Sequence, residues 1–159
     1  MSLKLPSIEK HFEILELLFN TMPYVFWKDR DGKYQGGNEN QAKGFGFFSP
    51  AEFVGKTVFE ILKDQEAAKL IDAVDNKVMN EDITILNEEK IASPTGERTY
   101  LSQKSPIHDE SGKAIGMLGF AMEITELKKR EESVKKERDK LIKLAAQVAH
   151  DIRSPVATI

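Results

Sequence analysis

His150 stands beside Asp151 in the run Leu144-Ala-Ala-Gln-Val-Ala-His150-Asp151-Ile-Arg153-Ser-Pro155-Val-Ala-Thr-Ile159. Apolar residues recur here at Leu141, Leu144, Ala145, Val148 and Ile152, the three-and-four spacing of one buried helix face. His150 falls outside that stripe, so its imidazole points to solvent or to a partner. There it could meet a phosphate donor, with Asp151 placed to orient it or to handle its proton. A lone exposed histidine is more commonly a polar surface residue, and the chemistry of the pair leaves both readings open.

A long helix must position this pair. After Thr125 the composition turns to Glu-Leu-Lys-Lys-Arg-Glu-Glu-Ser-Val-Lys-Lys-Glu-Arg-Asp-Lys-Leu, which reads as a solvated helix. Leu127, Val134, Leu141 and Val148 are spaced by seven, the repeat that keeps one helix seam facing another. The companion seam positions, Arg130 and Glu137 or Glu131 and Arg138, are charged, so the seam is thin. The run reads as a parallel dimeric linker helix, with a monomeric solvated helix as the alternative.

Upstream lies a compact α+β pattern. Ser7 to Asn20 carries Ile8, Phe12, Leu15 and Phe19 on one side, an amphipathic helix ending before Pro23. A helix this short is marginal alone, so that face packs on the domain or on a second copy of the chain. Tyr24 to Lys28 and Lys33 to Gly36 read as strands joined at Asp31-Gly32. Short helices follow, opened by Asn38 with Gln41, Ser49 with Glu52 and Thr57 with Glu60, the first two closed by Gly44 and Gly55. Their Phe45, Phe47, Phe48, Phe53 and Phe59 require cover. Glu66 to Asn80 reads as a longer helix burying Ala67, Leu70, Ile71, Val74 and Val78. Ile83–Ala92, Glu97–Pro106 and Lys113–Ile124 read as strands separated by short turns, which makes them antiparallel neighbours. The layout is a five-stranded antiparallel sheet with helices gathered on one face.

Composition narrows the partners. Among 159 residues, 23 Lys and Arg face 26 Asp and Glu, a formal net charge of -3. A nucleic-acid footprint needs a basic excess, so no nucleic-acid partner is expected. Cysteine is absent, which excludes disulfides, a thiol nucleophile and thiolate metal sites. No His and carboxylate cluster supports a metal. No apolar run approaches the ~18 residues of a membrane span, and the start lacks a signal-peptide core. No membrane contact is expected of this segment, and the setting reads as cytoplasmic.

Two family resemblances follow from quoted strings. His150, Asp151, Ile152, Arg153, Ser154, Pro155 and Val156 resemble the phosphoacceptor box of sensor histidine kinases. That resemblance implies that His150 takes the γ-phosphoryl group of ATP, Asp151 assists, Pro155 bends the helix just beyond, and phosphate passes to an aspartate of a response regulator. Tyr24-Val-Phe-Trp-Lys-Asp, Asp31-Gly32, Asn38, Ser49-Pro50-Ala-Glu52-Phe-Val-Gly55-Lys56-Thr57, Gly112-Lys-Ala-Ile-Gly116 and Glu123-Ile124-Thr125-Glu126 together resemble a PAS domain. Glu123 departs from the Asp usual before Ile-Thr.

The resemblances imply an N-terminal amphipathic helix over 1–22, a PAS sensor domain over 23–126, a coiled-coil linker over 127–143, and the start of the kinase dimerisation and phosphoacceptor helix over 144–159. They imply a homodimer held by the N-terminal and linker helices. A PAS fold commonly cups a ligand, and Phe26, Tyr34, Phe45, Phe48, Phe59 and Tyr100 are the candidate lining. No cofactor is identified. Flavin photochemistry of the cysteine type is excluded, and His11, His108 and His150 lie outside the helical cluster where haem-binding members carry their ligand. The chain has no glycine-rich phosphate cradle, so ATP is expected on a catalytic domain beyond Ile159, and this piece alone should not phosphorylate itself. At 1.5 Å per residue, a continuous helix from Glu123 to His150 spans about 40 Å, so regulation must pass through rotation, bending or register of paired helices. The rival reading is a non-enzymatic PAS scaffold that binds a ligand or dimerises.

Overall fold

The structure, a computed structural model, describes residues 7–156. It divides into two compact units, Met1–Glu123 and Ile124–Ile159. The first comprises α1 (Ile8–Thr21), β1 (Tyr24–Asp29), β2 (Tyr34–Gly37), α2 (Glu39–Phe45), a 3-10 turn at Pro50–Glu52, α3 (Val58–Ile61), α4 (Gln65–Glu81), β3 (Ile85–Ser93), β4 (Gly96–His108) and β5 (Ala114–Glu123). The second is one helix, α5 (Thr125–Val156). It runs unbroken across residues 143 and 144, so no break separates the expected linker from the phosphoacceptor segment. The bend expected beyond Pro155 lies outside the described residues.

The sheet has the order β2-β1-β5-β4-β3, with every neighbouring pair antiparallel. Two of its hairpins use the same device. Asp29 Oδ1 accepts the backbone N–H groups of Asp31 and Lys33, and Asp109 Oδ1 accepts those of Ser111 and Lys113. Each turn then closes on a glycine in the left-handed region, Gly32 at φ 74° and Gly112 at φ 82°. Helices α2, α3 and α4 cover one face of the sheet, and the core between them holds Phe26, Tyr34, Phe53, Val58, Ile71, Val78 and Met117.

Helix starts follow the caps read from sequence. The Asn38 side chain accepts the Gln41 N–H, and Ser49 with Glu52 and Thr57 with Glu60 form reciprocal capping boxes. Closure of α2 differs: Gly46, at φ 84°, is the left-handed cap in place of Gly44, because the helix continues through Phe45. The buried face of α4 also differs. Leu70 is 70% exposed, and the buried positions are Ala67, Ala68, Ile71, Asp75, Val78 and Met79. The helix turns a carboxylate inward, for reasons that appear below. Strand β3 begins at Ile85, later than expected, because Asp82 takes a left-handed conformation to end α4 and the Ile83 N–H still donates to Val78 O. Phe48 needs no cover; it is 97% exposed.

Asp64 fastens α4 to the sheet. Its Oδ1 accepts the Ala67 N–H at 3.0 Å, and its Oδ2 accepts the Ala92 N–H at 2.9 Å. These bonds, that to Ala67 foremost, favour the carboxylate and hold its pKa below the ordinary 3.8. A depressed folded pKa contributes stability that is complete above the unfolded value and is lost as pH falls through the folded one. Asp64→Asn is therefore expected to weaken the fold near neutral pH and to flatten its acid limb. Denaturant titrations at neutral pH and at successively more acid pH check this, since the gap between wild type and variant should narrow as pH falls below the ordinary carboxylate range.

Candidate functional site

Between the helices and the inner face of the sheet lies a cavity of about 540 Å³. Of the aromatic residues expected to line it, Phe26, Tyr34, Phe45 and Tyr100 do so. Phe48 and Phe59 do not: Phe48 projects from the loop after α2, and Phe59 faces outward from the single turn of α3, whose inward residue is Val58. Rings meet edge to face, with Tyr34 centred 5.5 Å from Phe26 and 5.4 Å from Phe45. Gly119 makes room for this packing. A Cβ there would fall 2.3 Å from the Phe26 ring, so a side chain would force Phe26 out of its place.

Behind the cavity wall runs a buried ionic chain absent from the sequence reading. Lys28 on β1 donates to Asp75 Oδ2 on α4 at 2.5 Å. Lys104 on β4 places Nζ 2.7 Å from Asp75 Oδ1 and 2.6 Å from Glu89 Oε1 on β3. These two contacts are close ion pairs, poorly angled for hydrogen bonds. The Ser102 hydroxyl completes the chain by donating to Glu89 Oε2 at 2.8 Å. Lys28, Asp75, Lys104 and Ser102 are each no more than 2% exposed. The Lys28 ammonium also lies 4.4 Å over the Tyr34 ring. The charges cancel within the chain, which is what allows such groups to be buried at all. Burial, with the carboxylates of Asp75 and Glu89 nearby, raises the Tyr34 pKa, so its hydroxyl stays protonated.

Asn38 joins three elements around this site. Its Oδ1 accepts the N–H of Val25 on β1 and of Gln41 on α2, at 3.2 and 2.9 Å. Its Nδ2 faces the carbonyls of Phe19, Met22 and Pro23, all within 3.1 Å. Helix α1 is thereby held at its C-terminal end, where Phe19 also packs on Trp27 with ring centres 6.1 Å apart. Its far end is open: Ile8, Phe12 and Leu15 are all more than half exposed.

Within the second unit, the His150 and Asp151 side chains are 77% and 63% exposed. His150 Nδ1 lies 3.4 Å from Asp151 Oδ1, which also accepts a 2.7 Å hydrogen bond from Gln147 Nε2. Asp151 is thus pinned by a residue one turn earlier and held at the edge of the imidazole. The seam residues Leu127, Val134, Leu141 and Val148 are each about half exposed or more. Glu123, at the exit of the sheet, lies 3.7 Å from Arg98. Among the described residues no cluster of His and carboxylates could hold a metal ion, and no helix is long and apolar enough to cross a membrane.

The sheet order, the helical cover and the cavity correspond to a known pattern, and the PAS fold matches residues 18–129. The chain belongs to the PAS fold family. Over 134 residues it is 27% identical to the aerobic respiration control sensor protein ArcB of Escherichia coli K12, covering 83% of this chain and 17% of that protein. The chain thus spans under a fifth of the length of the curated relative it matches. Among solved structures, the PAS domain of Bordetella pertussis BvgS superposes with a TM-score of 0.60 at 19% identity, over 80% of this chain and 98% of that one. Vibrio cholerae VqmA, solved in complex with a ligand and DNA, superposes with a TM-score of 0.65 at 21% identity, over 72% of this chain and 51% of that one.

Proposed function

We propose that the chain is the sensory input and phosphoacceptor segment of a cytoplasmic two-component sensor histidine kinase. The observation that carries this reading is the exposed His150 on α5, with Asp151 pinned beside it inside a string resembling a phosphoacceptor box. Identity with a protein named as a sensor supports it. In this reading His150 is the nucleophile for the γ-phosphoryl group of ATP supplied by a separate catalytic domain. Asp151 holds the imidazole so that one ring nitrogen carries the proton while the other attacks. Phosphate then passes to an aspartate of a response regulator. The cavity takes the stimulus, and paired α5 helices relay it by rotation or register, needing a coupling of only about 1–3 kcal/mol. The open faces of α1 and of the seam would close on a second copy of the chain.

Labelled ATP given to the full-length protein tests this. Acid-labile, alkali-stable label is expected in wild type and is expected to vanish in His150→Gln. Label that persists in the variant would place the phosphoacceptor elsewhere. No label, in a protein shown to bind ATP, would favour a second reading: a PAS scaffold without kinase activity. The likeness to VqmA, whose structure was solved with a ligand and DNA, is the observation that favours that alternative.

A further inference from the structure

Adjacent positions on a helix diverge by about 100°, so Asp151 reaches the imidazole of His150 only when its side chain turns back across the helix face. Gln147 stands between the two in projection, one turn before both. The other residues one turn from Asp151 are Val148, Ser154 and Pro155, and none of them carries a charge. No cation one turn away therefore draws the carboxylate off the imidazole. What meets it is the Gln147 amide, whose Nε2 donates at 2.7 Å to Oδ1, the same oxygen that lies 3.4 Å from His150 Nδ1. Both carboxylate and imidazole stand well out in solvent. An unheld aspartate there exchanges rotamers on the fastest side-chain timescale and faces the neighbouring ring only part of the time.

We propose that Gln147 is a positioning residue for phosphoryl transfer: it holds Asp151 Oδ1 beside His150 Nδ1, which keeps the proton on Nδ1 and leaves Nε2 free to attack. This role rests on the reading of His150 as the phosphoacceptor. In the step itself the Nε2 lone pair forms the N–P bond, and the bond from phosphorus to the β–γ bridging oxygen breaks with its electron pair leaving on ADP. The positive charge that develops on the ring is met at Nδ1–H by Asp151. Gln147 acts only through Asp151, by raising the fraction of time that the carboxylate is in place. Gln, Leu, Lys and Glu have nearly equal helix propensities, so exchanges among them at this exposed position leave α5 itself unchanged.

Autophosphorylation of the full-length protein at varied ATP tests this in Gln147→Leu, Gln147→Glu and Gln147→Lys, together with the nitrogen chemical shifts of the His150 ring. In the neutral ring, wild type is expected to hold the proton on Nδ1. Gln147→Leu should lower kcat about threefold, and Gln147→Glu, which sets like charges one turn apart, about tenfold, with KM for ATP unchanged and the two tautomers mixed. Gln147→Lys restores a donor and should keep at least about half the wild-type rate. A helix position without this role would give one rate and one tautomer in all four proteins, and that result would overturn the assignment. So would a Lys variant as slow as the Leu variant, a slowed Leu variant with its tautomer unchanged, or a loss that falls on KM and so makes Gln147 a contact of ATP. Wild type without phosphohistidine would remove the phosphoacceptor reading and this role with it, whereas label in wild type that does not depend on residue 147 would remove this role alone.

Discussion

Asp75→Leu is expected to lower stability by about 3–5 kcal/mol, one of the largest effects of a single change in the PAS unit. The substitution leaves the ammonium groups of Lys28 and Lys104 buried with Glu89 as their one remaining carboxylate, and Glu89 reaches only Lys104. Lys28 would then have to lose its proton or draw water into the core. The wild-type ionic chain need not itself be a large net source of stability, because four charged groups are desolvated to form it. Replacing the whole chain by Lys28→Met, Asp75→Leu, Glu89→Leu and Lys104→Met together should therefore cost much less than the single change. Urea titrations with unchanged slope check both. A loss below about 1 kcal/mol for Asp75→Leu would mean that the ammonium groups are hydrated after all.

The same residues show what was legible in the sequence and what was not. Turn and cap chemistry is local, so Asp29-Arg30-Asp31-Gly32, Ser49 to Glu52 and Thr57 to Glu60 declared themselves, and with them the strand order of the hairpins. Burial depends on which face meets the core, and there local signals misled. Leu70 looked like core by its type and spacing, yet α4 is rotated so that Asp75 faces inward. Rotation follows from partners 47 residues earlier and on β4, and a single helix cannot announce them. A signal did exist in pieces. Lys28 follows four aromatic or apolar residues, Tyr24 to Trp27, in its strand, and Asp75 lies one turn from both Ile71 and Val78. Opposite charges at inward positions of different elements are what such a chain requires. The same limit applied to the cavity: Phe26, Tyr34 and Tyr100 project from alternating strand positions, whereas Phe48 and Phe59 sit in short irregular segments whose facing is fixed by neighbours rather than by period.

Asn38→Ala is expected to cost about 3 kcal/mol or more, and the loss should be uneven across the fold. The side chain is 1% exposed and serves both as N-cap of α2 and as the clasp between β1 and the end of α1. Alanine strands backbone N–H groups on one side and carbonyls on the other, at a position sealed from solvent. Asn38→Asp separates the two roles. Aspartate keeps the acceptor for Val25 and Gln41, but its second oxygen meets the carbonyls of Phe19, Met22 and Pro23, where repulsion replaces donation. Helix α1 should therefore lose hydrogen-exchange protection in Asn38→Asp while α2 keeps most of its own, and in Asn38→Ala both should open. Phe19 and the bonds from Asn40 Nδ2 to Asn20 and Met22 carbonyls remain as the residual hold on α1. If α1 stayed fully protected in Asn38→Asp, these contacts would suffice alone, and the clasp would have no part in placing the helix. Loss of α1 with an intact α2 would make Asn38 the point where the cavity wall and the open apolar face of α1 are mechanically joined.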